Sequence, residues 1–396
     1  MNTLLLLALV VAIGSAMDIF TDIVAITIGG VTPTQLGVFN TIGYVVYLFS
    51  LYIGGRLGDK GIIKIQLLFA TISLITYGVE LEVFFNTRLL QHLYIMYISY
   101  SILQAFSLTA VTAYIHEHNP SYYWEDLLVK RSIATRAFEF ILLGFLSVFS
   151  DFIVGNLYMF ISIIGLPVLL SFLVVRDPPL RIERTLYRIE AGITRIESSI
   201  TNNLFIYELL RGDHRVLISS FKRKTIRREK PRKPFTVLAC LTLYRLSNGF
   251  LLVQLPVYLR SLGYVSTSIL GVYALARGLL IPLFILQSNR ANGIKQRLIL
   301  RGLIPLALLP PLVNTSFLIP VVVLSLILYL NSVIDILFYS LYVESLGRAE
   351  STTYLLLGES AALFATLLSG YIYSLIGFEN IVFLTVFMVF LVASLI

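Results

Sequence analysis

Twelve stretches of roughly twenty apolar residues follow one another along this chain, and that length is what an α-helix needs to cross ~30 Å of hydrocarbon at ~1.5 Å per residue. They are expected at 4–28, 35–57, 63–84, 91–115, 132–149 and 152–175, and again at 235–258, 265–287, 297–314, 317–343, 354–375 and 378–396. A water-soluble chain of 396 residues would not be 57% hydrophobic and 13% charged. The expected fold class is an all-α polytopic membrane protein, with twelve transmembrane helices in two six-helix halves.

The halves run over 1–175 and 235–396, and the segment between them, 176–234, holds 15 Lys and Arg against 7 Asp and Glu. Its surplus equals the net charge of the whole chain, +8. Within it Ile182, Leu186, Ile189, Ile193 and Ile196 recur every three or four residues with Arg184, Arg188 and Arg195 between them. That is the pattern of an amphipathic helix, and a basic one is drawn to anionic lipid headgroups on the cytoplasmic leaflet. Basic residues also gather on alternate loops and helix ends, Lys130, Arg131, Arg297 and Arg301 among them, which places both termini in the cytoplasm of a multi-pass plasma-membrane protein. The first stretch, with Gly14, Ser15 and Ala16, imitates a signal peptide but lacks a basic residue ahead of its core and runs on past Asp18 and Asp22. It reads as the first transmembrane helix.

Several chemistries find no support. One cysteine, Cys240, allows no internal disulfide, and four histidines without repeated spacing make no metal site, the His116–His118 "HEH" included. No Gly-rich loop ending in Gly-Lys-Ser/Thr offers to bind a nucleotide, and no spacing gathers a nucleophile, base and orienting group. A monomer without cofactor, metal or nucleic-acid partner is expected, and no enzyme activity.

Between the second and third stretches the chain reads "GGRLGDKGIIK", Gly54 to Lys64. Gly54, Gly55 and Gly58 give a helix end a small face, which lets another helix approach closely. The halves also echo each other: "TQLGVF" (Thr34 to Phe39) opens the second stretch and "SILGVY" (Ser268 to Tyr273) the eighth, while Asp59 and Lys60 correspond to Asn289 and Arg290. Six helices, a cytoplasmic linker, six helices and this loop resemble the major facilitator superfamily of secondary transporters. That family's loop runs Gly, any, Leu, any, Asp, Arg or Lys, any, Gly, then two basic residues. Gly55, Leu57, Asp59 and Lys60 match it, Gly61 comes one position early, and Lys64 alone represents the closing basic pair. The resemblance implies a latch, in which Asp59 accepts hydrogen bonds from the start of helix eleven in one of two alternating states. Drug–proton antiporters of the family carry a Gly-Pro element in helix five, absent here, and an Arg where this chain has Ser101, three residues before Gln104. Both absences count against a multidrug exporter, which stays an alternative to a solute transporter, as does a transport-like sensor without sustained flux.

The resemblance also implies that helices one, four, seven and ten line a central cavity. On them lie Asp18 and Asp22, then Tyr97, Tyr100, Ser101 and Gln104, then Arg245 and Asn248, then Asn331 and Asp335. Charged groups inside a bilayer are costly, so each marks a functional position by default. Asp18 or Asp22 is expected to bind and release a proton as Arg245 withdraws and approaches, coupling proton movement to that of a small organic solute. Acids on two helices with one arginine lean toward a cationic or polar solute. Glu139 and Arg277 are expected to pair across the halves, with Arg136 one turn away, and Arg56 to pair with Glu359 where helices two and eleven meet. Glu80, near the outer end of helix three, is expected to be hydrated or paired with Arg88.

Overall fold

A computed structural model describes residues 2–118, 124–155, 157–177, 234–286, 294–313, 316–346 and 352–396. The described residues are helical with short connections. The first six helices are α1 (Asn2–Thr27), α2 (Pro33–Asp59), α3 (Ile63–Thr87), α4 (Leu90–His118), α5 (Trp124–Gly155) and α6 (Leu157–Val174). Then come α7 (Pro234–Ser261), α8 (Ser266–Leu286), α9 (Ile294–Leu303) and α10 (Leu318–Leu346). A last continuous helical run, Thr352–Leu395, is broken at Gly377 (φ 75°, ψ 168°) into α11 (352–376) and α12 (378–395). Ala365 and Met388 on either side of the break share a cluster with Phe250, although a straight helix would hold them ~35 Å apart. The chain therefore folds back at Gly377, a position whose left-handed φ admits glycine at little cost.

Eight described stretches are long and apolar enough to cross a bilayer, and one of them, Ser360–Leu395, spans both α11 and α12. Large apolar side chains also face outward, Val148, Leu375 and Phe49 among them, as a hydrocarbon environment requires and water would penalise. The protein is a multi-pass integral membrane protein. Two elements depart from the expected windows. Helix α5 begins at Trp124 rather than 132, because its first turns carry charges that a hydropathy window rejects. The expected helix over 297–314 is an α-helix only to Leu303, followed by a 3₁₀ stretch, Ile304–Leu308, and a single turn, Pro310–Val313. Pro305, Pro310 and Pro311 each lack the N–H that an α-helix would use.

Local chemistry fixes where α2 starts and stops. Thr32 and Gln35 form a reciprocal capping box with Pro33 in the first helical position. At its other end Gly61 N–H bonds to the Gly58 carbonyl (2.7 Å) and Ile62 N–H to that of Leu57 (3.0 Å), with Gly61 at φ 66°. This is a Schellman stop, and its left-handed residue is the glycine that falls one position early against the family loop. Helix α3 is then capped from a distance: Asp177 Oδ1, just beyond α6, accepts from Ile63 N–H (2.7 Å) and Lys64 N–H (2.8 Å). Asp177→Ala is expected to cost about 0.5–2 kcal/mol, the usual worth of such a cap, whereas Asp177→Asn retains an acceptor and costs less. Thermal unfolding of the two variants side by side checks the order.

Helices α1, α2, α3, α5 and α6 gather around one another and α4, and α7 through α12 form a second group. The groups meet chiefly through α5 on α8 and α2 on α11. The α2–α11 contact lies at the end of the bundle where α1 turns into α2. A Cβ on Gly37 would lie 2.9 Å from the Thr366 carbonyl oxygen, and one on Gly370 would collide with the Pro33 carbonyl oxygen and lie 2.6 Å from Thr34 Cα. Thr41 and Thr366 hydroxyls approach to 3.3 Å, and Gln254 Nε2 reaches both Ser369 Oγ (3.0 Å) and the Pro33 carbonyl (3.5 Å). At the same end Ser147 of α5 donates to the Thr267 carbonyl of α8 (2.8 Å).

Candidate functional site

Asp18 and Asp22 lie one turn apart on α1, half-buried beside the buried Met17, Ile19, Thr21 and Ile23. Asp22 Oδ1 accepts from the Tyr97 hydroxyl (2.5 Å) and from Asn40 Nδ2 (3.0 Å). Asp18 is within hydrogen-bond reach of Tyr100. The Tyr97 ring stacks on Phe39 with centroids 5.4 Å apart and is tilted against Tyr100 at 5.5 Å, which fixes where both hydroxyls point. Small residues bring the helices this close. A Cβ on Gly14 would sit 3.1 Å from Gln104 Cα, and one on Gly43 would sit 3.0 Å from Ser101 Oγ and 3.4 Å from the Tyr100 hydroxyl. The structure thus gathers Asp18, Asp22, Tyr97, Tyr100, Ser101 and Gln104 around the α1–α2–α4 contact. It adds Asn40 of α2, whose sequence signal was a lone amide within an apolar run.

Among the described residues, Arg277 of α8 is a cation whose charge reaches Asp18. Arg277 Nε also lies 3.4 Å from Glu139 Oε2 of α5, an ion-pair contact whose geometry is too poor for a hydrogen bond. Glu139 is held on its own helix by Arg136, whose Nη1 donates to both carboxylate oxygens at 2.9 and 3.2 Å, and the Ser15 hydroxyl is within reach. Only 2% of the Glu139 side chain is exposed. One carboxylate therefore faces two guanidinium groups, one from each group of helices.

A third polar cluster joins α7, α9 and α10. Arg245 Nη2 lies 3.2 Å from Asp335 Oδ2, so the structure assigns this arginine to the acid of its own group, where the sequence suggested an approach to Asp18 or Asp22. Beside it, Arg301 Nε donates to Asn331 Oδ1 (2.7 Å) and Nη2 to Asn248 Oδ1 (2.6 Å), while the Tyr244 hydroxyl also donates to Asn331 Oδ1 (2.8 Å). Arg301 is fully buried. It had counted among the basic residues at a water-facing helix end, and the structure overturns that placement, because α9 ends two residues later at the Pro305 break inside the bundle. Arg297 and Arg131 are buried too, the latter donating to Thr112 Oγ1 at 3.3 Å.

The loop residues are partly described. Gly55 and Leu57 lie in the last turns of α2, Lys60 is its exposed cap, and Lys64 offers its backbone N–H to Asp177. Next to Gly55, Gly54 lies against Thr109 of α4 so closely that a Cβ would overlap its hydroxyl. Arg56 Nη2 donates to the Tyr52 hydroxyl (2.6 Å) and lies over its ring. Asn289, Arg290 and the amphipathic pattern of the linker lie outside the described residues, as do the side chains of Asp59 and Glu359. Glu80 pairs with His92 Nδ1 of α4 (2.7 Å) rather than with Arg88, which lies over the Phe85 ring at 5.6 Å.

No family model and no curated protein matches the sequence. Solved structures do align with the fold. A structure of proton-dependent oligopeptide transporters aligns with a TM-score of 0.62 at 11% identity, covering 99% of this chain and 94% of the other. A D-xylose–proton symporter gives 0.62 at 11% identity, covering 99% and 96%. A peptide transporter gives 0.63 at 12%, covering 99% and 93%. At such identities the likeness is one of fold.

Proposed function

We propose, from the premise that this chain has the major facilitator fold, that it is a secondary transporter in which a proton carried by Asp18 or Asp22 couples to movement of a small organic solute. Residues 1–175 and 235–396 act as two bodies rocking about a midplane site, joined by 176–234, with the termini in the cytoplasm. The observation that carries the reading is the half-buried Asp22 carboxylate, set within a membrane helix and held by Tyr97 and Asn40. Two carboxylates one turn apart repel in a poorly hydrated setting, and exchange of a proton relieves that repulsion when the surroundings change. Glu139 and Arg277, from opposite bodies, form a contact that such rocking must remake. The loop from Gly55 to Lys64 is the switching element, with Asp59 as its acceptor.

The test uses the purified protein in liposomes enclosing a pH-sensitive dye, with a panel of sugars, amino acids, dipeptides and organic acids added outside. At least one class is expected to drive proton entry, which Asp22→Asn or the double replacement with Asp18→Asn abolishes while solute binding persists. Proton entry at the wild-type rate in the double variant removes the coupling role from both acids. Binding without flux for every solute that binds would make the chain a sensor.

A further inference from the structure

We propose that the end of α2 holds an anionic phospholipid, with Arg56 and Lys60 taking its phosphate and Val45, Phe49 and Tyr52 lying along its acyl chain. The site stands on the membrane placement of α2 and does not depend on the transporter reading. The first observation is the run of exposure along the helix. Among the described residues from 38 to 60, the exposed ones are Val45, Phe49, Tyr52, Arg56 and Lys60. Their spacing of four, three, four and four keeps all five on one narrow stripe of an α-helix. The other faces of α2 pack on α4 and α11. An apolar stripe on a membrane helix that neither neighbour covers is covered by lipid, and two cations stand at its end.

The second observation is depth and direction. From Pro33 to Arg56 the helix rises ~35 Å, against ~30 Å of hydrocarbon. With the turn between α1 and α2 at one membrane surface, Arg56 lies at headgroup depth in the other leaflet, and Tyr52 lies ~6 Å further in. The guanidinium is turned inward: Nη2 donates to the Tyr52 hydroxyl at 2.6 Å, and its central carbon lies 5.0 Å from the centre of that ring. A basic side chain that needed only water would snorkel outward. This one is held along the boundary where lipid phosphates lie. Its bond to Tyr52 uses one of five N–H donors, and the rest of the planar fork suits phosphate oxygens. Among the described side chains, which do not include that of Asp59, neither Arg56 nor Lys60 has a carboxylate within ion-pair distance. Two cations one turn apart favour a headgroup of net negative charge over a zwitterionic one, whose own cation they repel.

The test uses the full-length protein with Trp124→Phe and Phe49→Trp, so that its one indole lies on the stripe. It is reconstituted in phosphatidylcholine bilayers containing a minor share of brominated phosphatidylglycerol or brominated phosphatidylcholine, and bromine quenches the indole of whichever site the lipid occupies. Both lipids carry a phosphate, so the comparison reads net charge. Phosphatidylglycerol is expected to be preferred by about fivefold or more, the worth of a basic residue beside an anionic lipid. The preference should shrink in high salt. Arg56→Gln with Lys60→Gln should bring it close to one, and Arg56→Lys, which keeps the charge but not the fork, should fall between. A second reporter, Phe387→Trp in place of Phe49→Trp, lies on the exposed face of α12, which has no basic residue, and should show no preference. An Asp59 that neutralised this turn would abolish the preference at position 49, which the first measurement reads directly. Equal quenching by the two lipids at position 49, the same preference at position 387, or a folded double variant that keeps its preference would each overturn the proposal. Should the double variant fail to fold, an unchanged preference in Arg56→Gln alone overturns it instead.

Discussion

Glu139→Gln is expected to cost about 3–5 kcal/mol of folding stability, the range for removing one partner of a buried ionic cluster. The single carboxylate at this position faces Arg136 at 2.9 Å and Arg277 at 3.4 Å and is 2% exposed, so its loss removes the acid that both guanidinium groups share. Arg277→Gln should cost distinctly less, because Glu139 keeps its bidentate partner on α5. The two losses should not add: the double variant is expected to be more stable than their sum by about 0.5–3 kcal/mol, as for groups in direct contact. Unfolding of the four proteins in detergent measures this. Strict additivity would mean that the 3.4 Å approach carries no energy, and equal single effects would mean that the Arg136 contact adds nothing to it. Exchanging the charges, with Glu139→Arg and Arg277→Glu together, should recover part of the loss suffered by either reversal alone.

Gly370→Val has its largest expected effect on conformation. Its Cβ would meet the Pro33 carbonyl and Thr34 Cα, both backbone, so the helices and not a side chain must yield. Overpacking of this kind costs about 1–3 kcal/mol. The cost falls only on arrangements in which α2 and α11 touch, so under the transporter reading the balance between states moves roughly 5- to 150-fold away from the one described. A cysteine introduced at Thr34, in a Cys240→Ser background, should then react faster with a water-soluble reagent. An unchanged labelling rate would show that the contact is already open most of the time.

Much of the helix layout was legible because the bilayer imposes a length that hydropathy records directly. The division between α11 and α12 fell at 375–378 on sequence grounds and at Gly377 in the structure, since a run of 36 residues is too long for one crossing and contains a glycine. Hydropathy was blind where backbone chemistry overrode it, as over 303–313, where three prolines break up a stretch that is apolar throughout. The site was legible in kind more than in partnership. Asp18, Asp22, Tyr97 and Tyr100 stood out as polar groups in greasy helices, but which of them bond depends on the rotation of α2 and α4, which brings Asn40 into the set. Arg301 was misjudged because a rule that counts positive charge at helix ends assumes that helix ends lie in water. The repeat held an unread signal as well. Gly37 and Gly271 occupy matching positions in "TQLGVF" and "SILGVY", and they meet α11 and α5 respectively, the partners across the two contacts between the groups.

Asp177 gives the segment beyond α6 a mechanical origin. Because its carboxylate is fastened to the first turn of α3, tension on the chain that follows is shared between α6, to which Asp177 is joined by the backbone, and the first turn of α3. A load on residues 178–233 would therefore be felt at the start of α3, next to the loop from Gly55 to Lys64, as well as in α6.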